Sequence, residues 1–91
     1  MAVTVYIPTP FRRATQNRDR VVAEAASVGE LLDRLEASYA ELKGLVRSAG
    51  GEVHHHVNIY VNSEAIEVLS GLGTALHDGD EVTIIPALAG G

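Results

Sequence analysis

The sequence has no cysteine among its 91 residues, so disulfide bonds, thiolate metal sites and a cysteine nucleophile are excluded. Basic residues are also few. Seven Lys and Arg stand against twelve Asp and Glu, a net charge of −5, whereas nucleic-acid binders usually carry a basic face. No apolar run approaches the roughly 18 residues of a membrane span, and no basic stretch leads into an apolar signal region. We therefore expect a cytoplasmic protein that binds neither nucleic acid nor membrane.

Motifs of catalysis are scarce as well. Gly71-Leu72-Gly73 precedes no helix of useful length, so a phosphate-binding loop is not indicated, and no Ser-His-acid pattern stands out. At 9.6 kDa, the chain buries about 63% of its unfolded surface, enough for one modest core but not for an enclosed active site. The sequence therefore predicts a carrier or binding module that is not an enzyme, binds no cofactor itself and is a monomer when free.

Alternating apolar residues predict strands at residues 3–7, 20–24, 57–61 and 81–85. Ser27 and Glu30 form the Ser-x-x-Glu pattern of a helix start, and an apolar stripe follows at helical spacing. This stripe consists of Val28, Leu31, Leu32, Leu35 and Tyr39. Shorter elements predicted are a loop at 11–18, a second helix at 41–47, a short strand at 65–68 and a loop at 71–80.

The order of these elements predicts an α+β fold of the β-grasp, or ubiquitin-like, type. The sheet is expected to be mixed, with four to five strands and one main helix across one face. The first and last long strands would lie parallel in its centre, because a helix-bearing crossover separates them. Residues 1–86 form this domain and residues 87–91 a flexible tail. The expected core includes Val5, Leu32, Leu35, Ile59 and Ile84.

The strongest functional signal is the terminal pair Gly90-Gly91, which follows closely on a strand. Chance would place two glycines there in about 0.5% of chains. Because glycine has no Cβ, such an end can be threaded through a narrow channel of a partner enzyme and deliver its carboxylate to an active site. Leu88 is a candidate anchor in the lead-in. The alternative is an accidental frayed end, since termini are often rich in small residues.

The strand faces suggest a docking surface beside this tail. If the apolar positions of the last strands face the helix, Tyr6, Tyr60 and Ile85 face outward and form an exposed apolar row. Contiguous exposed apolar area usually marks an interface. The alternative is that they are ordinary half-exposed strand residues, which are common.

His54, His55 and His56 are a possible metal site, because His54 and His56 would lie on the same side of a strand. A structural zinc site normally needs four ligands, and only Glu52 is near in sequence. We therefore expect a solvated strand entrance rather than a metal site, and whether these histidines bind metal stays open.

Taken with the element order, three segments resemble the MoaD/ThiS family of ubiquitin-like sulfur carriers. They are the strand at residues 57–62, the Asp-Gly-Asp-x-Val turn and strand at residues 78–86, and the terminal Gly90-Gly91. Within the family, the chain is most similar to the sulfur carriers of O-phosphoserine-dependent cysteine biosynthesis.

The resemblance implies a mechanism and a set of partners. An E1-like enzyme would adenylate the Gly91 carboxylate with Mg-ATP, and sulfur would then displace AMP to leave a thiocarboxylate, while Gly90 provides access. A pyridoxal-phosphate-dependent cysteine synthase would accept the sulfur, and a zinc metalloprotease would release cysteine. ATP, pyridoxal phosphate and zinc would therefore belong to partner enzymes.

Other functions stay open from the sequence. The chain could be the small subunit of molybdopterin synthase, which uses the same thiocarboxylate. It could also be a protein modifier that forms isopeptides through Gly91, or a scaffolding module with an idle tail.

Overall fold

The structure is a computed structural model that describes residues 1–86. The predicted tail at 87–91, including Leu88, Gly90 and Gly91, lies outside the described residues. The strands are β1 (Ala2–Tyr6), β2 (Arg20–Glu24), β3 (Val57–Val61), β4 (Glu64–Ala65) and β5 (Glu81–Pro86). One α-helix, α1, spans Val28–Ser38. In this part of the chain, no helix has the length and apolar character needed to cross a membrane.

The five strands form one mixed sheet in the order β2-β1-β5-β3-β4. Strand β1 pairs antiparallel with β2 and parallel with β5, where Val5 lies opposite Val82. Strand β5 pairs antiparallel with β3, where Ile84 lies opposite Ile59. The first and last long strands are therefore parallel neighbours in the sheet centre, and the predicted β-grasp architecture is confirmed.

Helix α1 begins where the sequence predicts. The Ser27 side chain accepts a hydrogen bond from the Glu30 N–H at 3.2 Å, which satisfies one of the free donors of the first turn. The Glu30 carboxylate reaches back, but it accepts from the N–H of Ala26 at 2.7 Å rather than from that of Ser27. Both hydrogen bonds of the predicted cap are therefore present, but the Glu30 carboxylate binds the N–H of the residue before the N-cap. The helix ends at Ser38, one residue before the predicted end at Tyr39.

The core lies between α1 and the inner face of the sheet. All five residues predicted to be buried are at most 3% exposed. Tyr39, at the end of the helical stripe, is only partly buried against this core. Burial of the stripe contributes most of the helix stability, because helices this short are marginal alone.

All four of the shorter predicted elements differ in the structure. The loop expected at 11–18 contains a 3-10 helix, Thr9–Thr15, with Phe11 buried in the core. The second helix expected at 41–47 is wrong: only a 3-10 turn, Ala40–Leu42, forms. Gly44 follows at φ +86, a left-handed conformation that ends a helical path.

The short strand expected at 65–68 is wrong in its extent. Strand β4 stops at Ala65 and continues as a 3-10 helix, Ile66–Val68. This turn buries Ile66, which is 4% exposed. The loop expected at 71–80 likewise contains a 3-10 turn, Gly71–Gly73.

Candidate partner-docking site

The candidate site is the outer face of the sheet, opposite α1. Successive side chains of a strand point to opposite faces, so the residues between the buried positions form this outer face. Tyr6 pairs with Thr83 across β1 and β5, and Thr83 pairs with Tyr60 across β5 and β3. Arg20 of β2 lies opposite Tyr6 at the edge. A row of outward side chains therefore crosses four strands.

Tyr6, Tyr60 and Ile85 lie on the predicted face of the sheet. The prediction that they form one row across the strands is wrong. Tyr6 and Tyr60 are half-buried, while Ile85 is 46% exposed. Thr83 separates the two tyrosines, and Ile85 lies opposite Asn58, nearer the end of β5. The register is fixed by β5 pairing with β1 and β3 at once. The surface is a staggered patch, and its docking role stays a prediction.

The start of β5 is held by the loop from Asp78 to Asp80. The Asp78 carboxylate accepts from the Ala2 N–H at 2.8 Å, and the Gly79 N–H donates to the Ala2 carbonyl at 2.9 Å. Gly79 has φ +87, a conformation that L side chains rarely adopt. The Asp-Gly-Asp motif therefore fastens the beginning of β5 to the beginning of β1.

Asn62 connects the same loop to β3. Its Nδ2 donates to Asp80 Oδ1 at 2.8 Å, and its Oδ1 accepts from the Glu81 N–H at 2.9 Å. The hydrogen bond from Asn62 lowers the pKa of the Asp80 carboxyl, and the N–H of His77 adds to the shift. These bonds set the register from which β5 runs toward residues 87–91.

The last described pair at the other end of β5 joins Pro86 to Val57. The histidines therefore lie next to the root of the predicted tail. They precede β3 in a turn in which the Val57 N–H donates to the His54 carbonyl at 2.9 Å. The prediction that His54 and His56 lie on the same side of a strand is therefore wrong. Their rings nevertheless stack, with centroids 5.0 Å apart. Within residues 1–86, no three His, Asp or Glu side chains are grouped to hold a metal ion.

A separate charged cluster joins α1 to the segment that follows it. Arg47 binds Glu36 with two hydrogen bonds, Nε to Oε2 at 3.1 Å and Nη2 to Oε1 at 2.9 Å, and also donates to Asp33 at 2.8 Å. The bond to Glu36 raises the pKa of the Arg47 guanidinium. These residues border a groove of about 510 Å³. Since the ions satisfy one another, we read this cluster as structural.

Comparison with known proteins gives a consistent result. The model of the ThiS family matches residues 5–91. The chain is 44% identical over 93 aligned positions to the sulfur carrier protein CysO of Mycobacterium tuberculosis, covering 100% of both chains. It is also 44% identical over 70 positions to small archaeal modifier protein 3 of Haloferax volcanii, covering 77% of this chain and 75% of that protein.

A solved structure agrees with these sequence matches. The chain superposes with a TM-score of 0.91 on a chain of the Amycolatopsis orientalis BexX/CysO complex, at 39% identity, covering 98% of this chain and 99% of the other. The outer sheet face and the end of β5 described above therefore occur on a fold that is shared with a CysO complex.

Proposed function

The chain belongs to the ThiS family, and from this premise we propose that it is a sulfur carrier protein whose Gly91 carboxylate is converted to a thiocarboxylate. Members of this kind are small protein carriers rather than catalysts. The observation that supports the proposal most is the match to CysO over 100% of both chains. The family match also extends to residue 91, where the chemistry would occur.

The proposed activation has two balanced steps. The Gly91 carboxylate attacks the α-phosphorus of Mg-ATP on an E1-like enzyme, which forms an acyl-adenylate and releases pyrophosphate. Sulfide then attacks the acyl carbon and expels AMP: a C–S bond forms, the C–O bond to AMP breaks, and the carbonyl carbon keeps the sulfur as the thiocarboxylate. The mixed anhydride is needed because a free carboxylate is a weak electrophile. Gly90 lacks a side chain and would let the end enter a narrow active site.

For the acceptor, we propose a pyridoxal-phosphate-dependent cysteine synthase, followed by a zinc metalloprotease that releases cysteine. The similarity to CysO supports this choice over other sulfur acceptors. ATP, pyridoxal phosphate and zinc are used by these partner enzymes. The cytoplasmic location stays a prediction.

In this proposal the folded body provides docking and the tail provides chemistry. Ordering a tail inside a partner costs roughly 1–2 kcal/mol per residue in backbone entropy. Contacts of the body must therefore provide most of the affinity. Tyr6, Tyr60 and Ile85 belong to the apolar part of the outer face, which also includes Val22, 72% exposed on β2. Leu88 would add an anchor from the tail.

The test supplies the E1-like enzyme, Mg-ATP and a sulfur donor to the intact chain and to a Gly91-deleted variant. We expect thiocarboxylate only on the intact chain, seen as a gain of about 16 Da and as a product of alkylation. The alkylation is required because oxidation of Met1 gives nearly the same mass. Gly90→Val is the matched variant, because it keeps Gly91 but adds a side chain that hinders entry of the C-terminal end into the active site of the E1-like enzyme. We expect this variant to fold normally and to form little thiocarboxylate. Equal thiocarboxylate on the deleted and intact chains would refute the proposal.

A second candidate is a protein modifier, because the chain is 44% identical to small archaeal modifier protein 3 over 77% of its length. A modifier would pass the activated Gly91 carboxyl to a lysine amine instead of to sulfur. Mass spectrometry of tryptic peptides from cells expressing the chain distinguishes the two. Lysines carrying the C-terminal residues of this chain would favour the modifier.

A further inference from the structure

The basic residues are concentrated in one segment of an acidic protein. Four of the seven Lys and Arg residues and one of the twelve acidic residues lie between positions 12 and 20. This segment connects β1 to β2 through the Thr9–Thr15 turn. The rest of the chain is therefore strongly acidic, and the positive charge is local.

The topology brings this segment to the same end of the sheet as Pro86, the last residue of β5. Strand β1 runs parallel to β5, so the end of β1 and Pro86 lie at one end of the sheet. Arg20 lies opposite Tyr6, and the Asp19 carbonyl accepts from the Ile7 N–H at 2.9 Å. Arg18 immediately precedes this pairing.

The opposite end of the same face carries acidic residues. Glu24 lies opposite Ala2, and Glu81 lies opposite Thr4. The Asp78 carboxylate binds the backbone of Ala2. The Met1 ammonium lies 3.5 Å from a Glu24 carboxylate oxygen and 4.0 Å from one of Asp78, and the Tyr6 hydroxyl donates to Glu81 Oε2 at 3.3 Å. Three carboxylates and one ammonium leave this end net negative. The outer face is therefore polarised along its strands, with the arginines toward the end of the sheet that carries Pro86.

Arg18 and Arg20 are exposed and form no ion pair with any acidic group in residues 1–86. The contrast with Arg47 is instructive, because that side chain is 12% exposed and bonded to two carboxylates. Exposed guanidinium groups contribute little to stability but can bind carboxylates in a planar, two-bond geometry.

We propose that Arg18 and Arg20 bind an acidic surface of the activating enzyme beside the opening that receives residues 87–91. This inference rests on the proposed function. It favours a protein partner over nucleic acid because an acidic patch on a protein can be confined to the arginine end, whereas a continuous phosphate backbone would also meet Glu24 and Glu81. The polarity would also fix the orientation: turning the carrier half a revolution would place these carboxylates against the acidic surface, and like charges at an interface are costly.

The experiment compares two double variants with the same net charge. Arg18→Glu with Arg20→Glu reverses the proposed contacts. Arg34→Glu with Lys43→Glu reverses two exposed cations elsewhere, on α1 and after it, neither of which forms an ion pair in residues 1–86. Association with the purified E1-like enzyme is followed by stopped flow from low to high salt, after thermal melting has shown that both variants are folded.

We expect the arginine variant to associate about tenfold more slowly than the wild type at low salt and the control within about twofold, since charges near an interface mainly change the association rate. The difference should shrink at high salt. At saturating enzyme the arginine variant should still form thiocarboxylate. Equal association rates for the two double variants would overturn the inference. The inference would also be overturned if the wild type bound a DNA duplex, the arginine variant did not, and both bound the E1-like enzyme equally well.

The same assay separates this inference from the proposed function. If the wild type forms thiocarboxylate but both double variants associate equally, only the docking inference fails. If the wild type forms no thiocarboxylate with the E1-like enzyme, Mg-ATP and a sulfur donor, the carrier function itself fails.

Discussion

Replacing Glu36 by Gln tests the charged cluster that joins α1 to the segment after it. The Glu36 side chain is 17% exposed and that of Arg47 is 12% exposed, whereas the Asp33 side chain is 71% exposed. The change keeps the shape of the side chain but removes its charge and one acceptor of the two-bond contact. Asp33→Asn is the matched control, because it neutralises the exposed carboxylate that binds the same guanidinium.

The burial of the two carboxylates sets different magnitudes. Breaking a fully buried ion pair costs about 3–5 kcal/mol, whereas exposed pairs contribute about 0–1 kcal/mol. Glu36 is not fully buried and Asp33 stays in place, so we expect Glu36→Gln to lower the free energy of unfolding by about 2 kcal/mol. Asp33→Asn should cost less than about 1 kcal/mol. In a domain of this size these values correspond to about 8–16 °C and less than about 8 °C in Tm.

The assay is urea and thermal unfolding followed by circular dichroism at neutral pH. Arg47→Met and its combination with Glu36→Gln complete a double-mutant cycle that isolates the pairwise coupling. The coupling should exceed about 1 kcal/mol if the two-bond contact is stabilising. The reasoning is refuted if Glu36→Gln costs no more than Asp33→Asn, because burial would then not determine the value of these contacts.

Three further predictions concern the outer face and its support. Ile85→Asp should weaken binding to the E1-like enzyme in a pull-down while stability changes by no more than about 0.5 kcal/mol; a large loss of stability would contradict the exposure of Ile85. Ser63 has φ +83, so Ser63→Gly should raise the free energy of unfolding in urea by about 0.5–1 kcal/mol, and no gain would mean that the turn is unstrained. The pKa of Asp80 lies below its ordinary value of 3.8, so its contribution is present above that pH and lost as pH falls further. Stability curves of wild type and Asp80→Asn should therefore differ at pH 7 and converge in acid; a constant difference would exclude this linkage.

The main strands and the helix could be predicted from the sequence because their signals are local. The alternation in β1, β2, β3 and β5 and the cap at Ser27 each require only a few neighbouring residues. The 3-10 turns could not be predicted in the same way. Phe11 lies in a predicted loop and Leu42 in a segment predicted as a helix, and only the finished core shows that each is buried on a 3-10 turn.

The candidate site could be predicted only in part for a related reason. The outward face of Ile85 follows from strand alternation, but the position of Thr83 between Tyr6 and Tyr60 depends on pairing between strands far apart in the sequence. In the sequence, Arg18 ends the predicted loop at 11–18 and Arg20 begins the predicted strand at 20–24, and neither is predicted as a site residue. Their position at the same end of the sheet as Pro86 follows only from the parallel pairing of β1 and β5.

That parallel pairing also has a mechanical consequence. A pulling force applied at Ala2 and at Pro86 acts in opposite directions along two neighbouring strands. Such a force loads the hydrogen bonds of β1 and β5 together, in shear, whereas an antiparallel pair joined at one end would open one bond at a time. Resistance to forced unfolding depends on the unfolding barrier rather than on equilibrium stability. We therefore expect this small domain to resist extension from its two ends more strongly than its size suggests. A partner that pulled on residues 87–91 would load this same pair of strands.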